Sequence, residues 1–287
     1  MIHLEKISKS FGSKEVLKNI SLDIKKGEIL GLVGKNGAGK TTLISILAGL
    51  IDATSGEIYY QGSLIKNSNI RIGYLPDVPS FYDYLTVNEY IYFLSQSQLP
   101  SNKLAQIIMS VGLDPTDKIK SLSRGMRQRL GMAAVLVNEP DIILLDEPSS
   151  ALDPEGRAEL SNLLLSLRNA GKTILLSTHI LTDMEKICDT VVFLRDGCIS
   201  KIIDVNCAND RYEIKVTFEL PLHPTEIFKD SPAVSIITPY EMVINSSTED
   251  IETQRIILKY LYDIGNPIVK IETKQLSLDA IFSEVCL

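Results

Sequence analysis

The run Gly34-Lys35-Asn36-Gly37-Ala38-Gly39-Lys40-Thr41 has the spacing G-x-x-x-x-G-K-[ST] of a loop that wraps a phosphate chain. Glycines there let successive backbone N–H groups turn inward, where a Cβ would obstruct the anion. Lys40 is the cation placed to reach the β- and γ-phosphates, and the Thr41 hydroxyl is an oxygen donor for Mg²⁺. Further on, Asp141-Ile142-Ile143-Leu144-Leu145-Asp146-Glu147-Pro148 runs an apolar stretch into two acids. That pattern predicts a buried parallel strand whose carboxyl end carries the carboxylates, where open α/β sheets place ligands. Asp146 suits the Mg²⁺ shell, and Glu147 suits polarising an attacking water. His179 follows a third apolar run, Thr173 to Ser177, and is the histidine placed to touch a phosphate or a water; His3 and His223 read as structural. A plain glycine-rich turn, or acids exposed at a strand end, would explain either feature alone. Together they point to a nucleoside-triphosphate site.

The elements that must position these groups are legible in the spacing. Ile29 to Val33 reads as a buried strand entering the loop, and Thr42 to Leu50, with Leu43, Ile46, Leu47 and Leu50 on one face, as the helix leaving it. That helix points its positive N-terminal end at the phosphates. Strands are expected throughout residues 1 to 33, at 55–60 and at 71–75, with Pro76 ending the last. Phe11 stands on an expected loop, Lys9 to Gly12; taken alone it reads as a core residue, though an aromatic there can stack on an adenine.

From about residue 82 to 137 the character turns helical. Thr86-Val87-Asn88-Glu89 is a capping box for a helix to about Gln98, and Ser101 is expected to cap a second helix that Gly112 closes. Leu122-Ser123-Arg124-Gly125-Met126-Arg127-Gln128-Arg129 then opens a helix with Met126, Leu130, Ala133 and Val137 as an apolar stripe. Local pattern leaves two readings level: a capped amphipathic helix, or a second phosphate-sensing surface at a helix N-terminus. Asp153 and Pro154 are the N-cap and first residue of another helix, and Arg195-Asp196-Gly197 is a turn between strands 191–194 and 199–203.

The chain of 287 residues is expected to form two domains, 1–208 and 209–287, split by a shift in composition near Cys207-Ala208-Asn209-Asp210. Strands are expected in the second domain at 212–218, 233–237, 241–245 and 268–273. Helices are expected at 224–229, 248–263 and 277–285, making a small α+β sandwich with no chemistry of its own. The net charge of −7 argues against neutralising nucleic-acid phosphates as the main task. No apolar run approaches bilayer length and no secretory leader is expected, so the reading is cytosolic, with Cys188, Cys198, Cys207 and Cys286 reduced and mostly buried.

As a set, these motifs resemble the ATP-binding subunit of an ABC transporter, over residues 1 to about 205. Phe11 matches the aromatic that stacks on adenine; Gly34 to Thr41, with Thr42, matches the Walker A loop. Ser123, Arg124, Gly125 and Met126 resemble the signature sequence, Ile142 to Glu147 Walker B with its catalytic glutamate, Ser150 to Asp153 the D-loop, and His179 the H-loop histidine. The resemblance implies an α/β fold, a P-loop NTPase core of ABC type with a mixed sheet, a helical subdomain at about 82–137 and a small C-terminal α+β domain. It implies ATP and Mg²⁺ as cofactors, with Thr41 and Asp146 as metal ligands and Asp77, standing where the family has glutamine, as a further candidate able to reach Mg²⁺ or its water as an anion. It also implies a head-to-tail dimer with a second ATP-binding subunit, homodimeric or heterodimeric, in which Ser123, Gly125 and Asp153 act on the partner's nucleotide. The Gly-Met-Arg-Gln-Arg signature resembles the branch that drives ABC-2-type exporter permeases, which implies transmembrane permease partners and a peripheral place on the inner face of the cell membrane. One phosphate loop and one signature per chain, with no internal repeat, independently require a second chain for a composite site. The other reading is a soluble ATPase of the same family acting on nucleic acid or ribosomes. The acidic balance and the lack of a long coiled coil weigh against it, and no nucleic acid is expected as partner.

Overall fold

The computed structural model describes residues 1–96, 99–205, 211–221, 234–247 and 267–275, with Arg255, Lys259, Tyr262, Leu278 and Phe282 singly. The chain divides into two units, Met1–Ile203 with Phe282–Leu287, and Asp204–Ile281. The first unit opens with β1 (Ile2–Phe11), β2 (Lys14–Ile24), β3 (Ile29–Val33) and α1 (Lys40–Leu47). Then come β4 (Ser55–Tyr60), β5 (Ser63–Leu64), β6 (Ile72–Leu75), α2 (Val87–Leu94), α3 (Ser101–Ser110) and α4 (Arg124–Leu136). It continues through β7 (Ile142–Asp146), α5 (Pro154–Asn169), β8 (Thr173–Ser177), α6 (Leu181–Ile187), β9 (Thr190–Arg195) and β10 (Cys198–Asp204).

Two sheets result. One has the order β2-β1-β4-β5 and is antiparallel; the other has the order β10-β9-β3-β8-β7-β6. In the second, β3, β6, β7, β8 and β9 pair in parallel, and this explains their composition. Strands covered on both faces read as unbroken apolar runs, and every residue of β3, β7 and β8 is buried. A single core cluster joins Leu4 and Leu22 of the first sheet, Leu43, Ile44 and Leu47 of α1, and Leu32, Leu144, Leu175 and Val192 of the second. The helix that leaves the phosphate loop is therefore packed into the core, so its N-terminus is held rigidly. β9 and β10 join through Asp196 and Gly197, both at positive φ (49° and 81°), as a tight hairpin turn between right-twisted strands requires.

Several details differ from the sequence expectations. α2 stops at Leu94 rather than near Gln98: Ser95 caps it and Gln96 turns to φ 50°. Pro100, held extended, is the N-cap of α3, and Ser101 is already helical with no capping bond from its side chain. Helix α6 and the short strand β5 fall where no element was expected. Cys198 is exposed rather than buried, because β10 is a sheet edge; Cys188 is buried, and burial pushes its thiol far up.

In the second unit the described strands are β11 (Arg211–Phe218), β12 (Val234–Thr238), β13 (Glu241–Ser247) and β14 (Ile268–Gln275), an antiparallel sheet of order β12-β13-β11-β14. Val216, Phe218, Met242 and Ile244 bury one face. The helices expected at 224–229, 248–263 and 277–285, with Cys207, His223 and Cys286, lie outside the described residues apart from single positions. Among the described residues no helix is long and apolar enough to cross a membrane.

Candidate functional site

β3 delivers the chain into the glycine loop and α1 carries it away. The loop is held by close approach at both ends. A Cβ on Gly34 would lie 2.5 Å from the Leu194 carbonyl oxygen, and Gly39, at φ 106°, would place one 2.6 Å from a Leu17 methyl. Within the turn Ala38 N–H donates to Lys35 O at 3.0 Å, and Leu43 N–H donates to Gly39 O at 2.9 Å. Lys40 is buried at 8% exposure, and its ammonium donates to Gly34 O at 2.6 Å and Lys35 O at 3.4 Å.

Asn36, Gly37, Gly39, Lys40, Thr41 and Thr42 share a cavity of about 280 Å³ with Lys14 and Val16 of β2, Asp77 after β6, and Asp146 and Glu147 at the end of β7. Lys35 and Ala38 line a neighbouring cavity, of about 320 Å³, with Leu194, Arg195 and Asp196. The parallel register sets Asp146 opposite Ser177 of β8. Across that pairing the Ser177 hydroxyl donates to Asp146 Oδ1 at 2.6 Å, and the Glu147 N–H reaches both Ser177 O and Oγ at 3.1 Å. These bonds hold Glu147 at φ 49°, a backbone region that a non-glycine residue rarely occupies. Its carboxylate Oε2 lies 2.8 Å from His179 Nδ1, so the residue after Thr178 is brought onto the acid. On the other side Ser150 Oγ donates to Asp77 Oδ1 at 3.2 Å.

The donor chemistry suits a hard cation bound to a polyphosphate. Asp146 is 2% exposed with one oxygen engaged by Ser177, and the Thr41 hydroxyl lines the same cavity. Among the described residues no group of three His, Cys, Asp or Glu side chains is arranged to hold a metal alone, so a cation here would share the nucleotide's oxygens.

Residues of the signature segment lie elsewhere. Ser123 caps α4, its hydroxyl accepting from Met126 N at 3.2 Å, and both Ser123 and Arg124 are exposed. A Cβ on Gly125 would meet Ala151 O at 3.1 Å, so this segment packs on the stretch before Asp153; Asp153 Oδ1 accepts from Gly156 N at 2.8 Å and caps α5. Neither Ser123, Arg124, Gly125, Met126 nor Asp153 lines the phosphate cavity. Phe11 is not a core residue: it ends β1 opposite Lys14, is 52% exposed, and has Lys9 Nζ 4.9 Å from its ring centroid. The expected loop is a strand end because β2 pairs with it up to Lys14. Sequence reasoning missed Ser177, Lys14 and the bond from Ser150 to Asp77. Each depends on strand register or loop approach, which a linear pattern does not contain.

A phosphate-binding loop at the head of a buried helix, with acids at the end of a neighbouring parallel strand, defines a P-loop nucleoside-triphosphatase. Residues 17–150 match the family model described as ABC transporter. Over 296 aligned residues the chain is 34% identical to an uncharacterized ABC transporter ATP-binding protein, YxlF, of Bacillus subtilis (strain 168), covering 99% of each. It is 36% identical over 203 residues to the lantibiotic transport ATP-binding protein SrtF of Streptococcus pyogenes, covering 69% of this chain and 89% of that one. Among solved structures, the dimeric bacterial ABC transporter cassette MJ0796 superposes with a TM-score of 0.66 at 26% identity, over 71% of this chain and 99% of that one. The chain belongs to the ABC transporter family and is an ATP-binding, ATP-hydrolysing subunit of it. ATPase subunits of this family dimerise and work with permease subunits.

Proposed function

We propose that the chain is the Mg²⁺-dependent ATPase that energises an ABC-2-type exporter from the cytoplasmic face of the membrane, by closing and reopening a dimer around ATP. The observation that carries this reading is the division of the site: Lys40, Thr41, Asp146 and Glu147 share one cavity that the signature residues do not line. The export direction is supported by the Gly-Met-Arg-Gln-Arg signature and by the similarity to a lantibiotic transport protein.

In the reaction Lys40 exchanges the Gly34 and Lys35 carbonyls for β- and γ-phosphate oxygens, and Phe11 offers a ring face to the adenine. Thr41 and Asp146 would hold Mg²⁺, which neutralises charge developing on the phosphates. Glu147 accepts the proton of a water whose oxygen attacks the γ-phosphorus as the bond to the bridging oxygen breaks. His179 keeps that carboxylate aimed through the 2.8 Å contact. The partner subunit's signature segment closes over the γ-phosphate with a helix N-terminus and the Ser123 hydroxyl.

A permease surface is also available. Tyr82, Tyr84 and Phe93 are 50%, 72% and 60% exposed at the start of the helical subdomain, and the Tyr82 ring lies 5.9 and 6.1 Å from the other two. Clustered exposed aromatics of this kind mark protein interfaces. The deciding experiment is Glu147→Gln: turnover should fall by about a hundredfold or more, and an ATP-bound dimer should accumulate. Near-normal turnover with no trapped dimer would overturn the assignment, and copurification from solubilised membranes would identify the attached permease.

A further inference from the structure

The lining of the phosphate cavity carries more carboxylates than ammonium groups. It sets three carboxylates, Asp77, Asp146 and Glu147, against two ammonium groups, Lys14 and Lys40, one formal negative charge in excess. Asp146 and Glu147 are tied to Ser177, and Lys40 belongs to the loop. Asp77 alone among these acids stands on the loop after β6, held there by the Ser150 hydroxyl. Its field extends inward: burial, then the charge of Asp146, with that of Asp77 adding, pushes the Tyr74 phenol above its usual value despite a bond from Ser45.

We infer that Asp77 selects the form of nucleotide the cavity admits, favouring the Mg²⁺ complex and rejecting the metal-free polyphosphate. The inference rests on the nucleotide site proposed above. A free nucleoside triphosphate brings about four negative charges into a cavity that is already negative, whereas its Mg²⁺ complex brings about two. With an uncharged amide at position 77 the lining would be neutral and the difference between the two forms smaller. The carboxylate thus works as a specificity-determining group whatever its direct contacts with the cation. The Ser150 bond fixes where its charge sits.

The test measures binding, not turnover. Affinity of the full chain for a non-hydrolysable ATP analogue is determined with excess Mg²⁺ and again with EDTA, for the wild type, Asp77→Asn, Asp77→Gln and Ser150→Ala. Both Asp77 variants should bind the metal-free analogue about tenfold more tightly than the wild type and the Mg²⁺ complex, with about half the charge, only about threefold more tightly, narrowing the ratio between the two conditions by about threefold. Ser150→Ala keeps the charge and should retain most of the wild-type ratio. Asp52→Asn, which removes an exposed carboxylate paired with Lys66 outside this cavity, should leave the ratio unchanged. An unaltered ratio in correctly melting Asp77→Asn and Asp77→Gln would overturn the inference while leaving the site intact. Failure of the wild type to bind the analogue under either condition would overturn the nucleotide site itself.

Discussion

Ser177 holds two acids with one side chain and its own carbonyl. Its hydroxyl donates to Asp146 Oδ1 and accepts from the Glu147 N–H, and its carbonyl accepts from the same N–H. The residue is fully buried, so removing the hydroxyl leaves a buried carboxylate oxygen without its donor. Ser177→Ala should cost about 1–3 kcal/mol in denaturant unfolding. Because the freed Asp146 and Glu147 can rotate, turnover should fall further than nucleotide affinity. A loss confined to stability, with turnover per folded molecule unchanged, would show that the acids hold their own positions. At this scale the chemistry-bearing side chains were legible because their spacing is fixed by local loops: Gly34 to Thr41 and Asp146-Glu147 stand where the pattern puts them. Ser177 was not, since a serine ending an apolar strand gains its meaning from the residue across the ladder. Phe11 was read alone as a core residue because an aromatic's chemistry does not reveal which face of its strand it takes.

Helices declare their beginnings more clearly than their ends. Thr86 Oγ1 accepts from Glu89 N at 3.1 Å and Glu89 Oε2 accepts from Thr86 N at 2.7 Å, the reciprocal pair that the four-residue spacing announced. Ser123 and Asp153 likewise cap α4 and α5 through their own oxygens. Ser101 misled because Pro100, locked in the extended conformation that a cap requires, already fills the position. The parallel strands were legible for a different reason: burial on both faces leaves a composition that a half-exposed strand does not have. Thr86→Ala should cost about 1 kcal/mol in unfolding free energy. The backbone bond from Thr86 holds the Glu89 carboxyl below its ordinary value, with the Thr86 side chain and Lys118 contributing. Since the folded value is the lower one, this contribution is present above the unfolded carboxyl pKa and is lost as pH falls through the folded one. The stability difference between wild type and Glu89→Gln should therefore shrink on acidification across the carboxylate range, as followed by denaturant unfolding at successive pH values. A pH-independent difference would mean that the reciprocal bond does not persist in solution.

A single chain of this protein carries one phosphate loop and one signature segment, and they do not line one cavity. The count of one loop and one signature was legible in the sequence, because the absence of an internal repeat is a property of the whole chain and not of any contact; their separation was expected only from the family resemblance. The strands expected at 212–218 and 241–245 of the C-terminal unit were also legible, and the structure has them as Arg211–Phe218 and Glu241–Ser247; its role was not, since its sequence carries no glycine-rich loop or acid pair. If the working site is composite, two defects placed in different halves must complement each other. A Lys40→Ala chain lacks a working loop but keeps its signature, and a Ser123→Arg chain has the reverse. Each variant alone should form dimers without a working site. Mixed in equal amounts they form, by random pairing, dimers of which about half are hybrid, and each hybrid joins one intact loop to one intact signature. Turnover in the mixture should therefore rise from near zero toward about a quarter of the wild-type level, provided the two sites fire independently. The rise should depend on total protein concentration, since hybrid formation is bimolecular. If both variants melt normally and ATP-driven dimers form yet mixing restores nothing, either each chain completes its own site or both sites must be intact together. In the first case a Lys40→Ala hybrid with the wild type keeps the wild-type chain's own site working, and in the second that hybrid is inactive, so its turnover separates them.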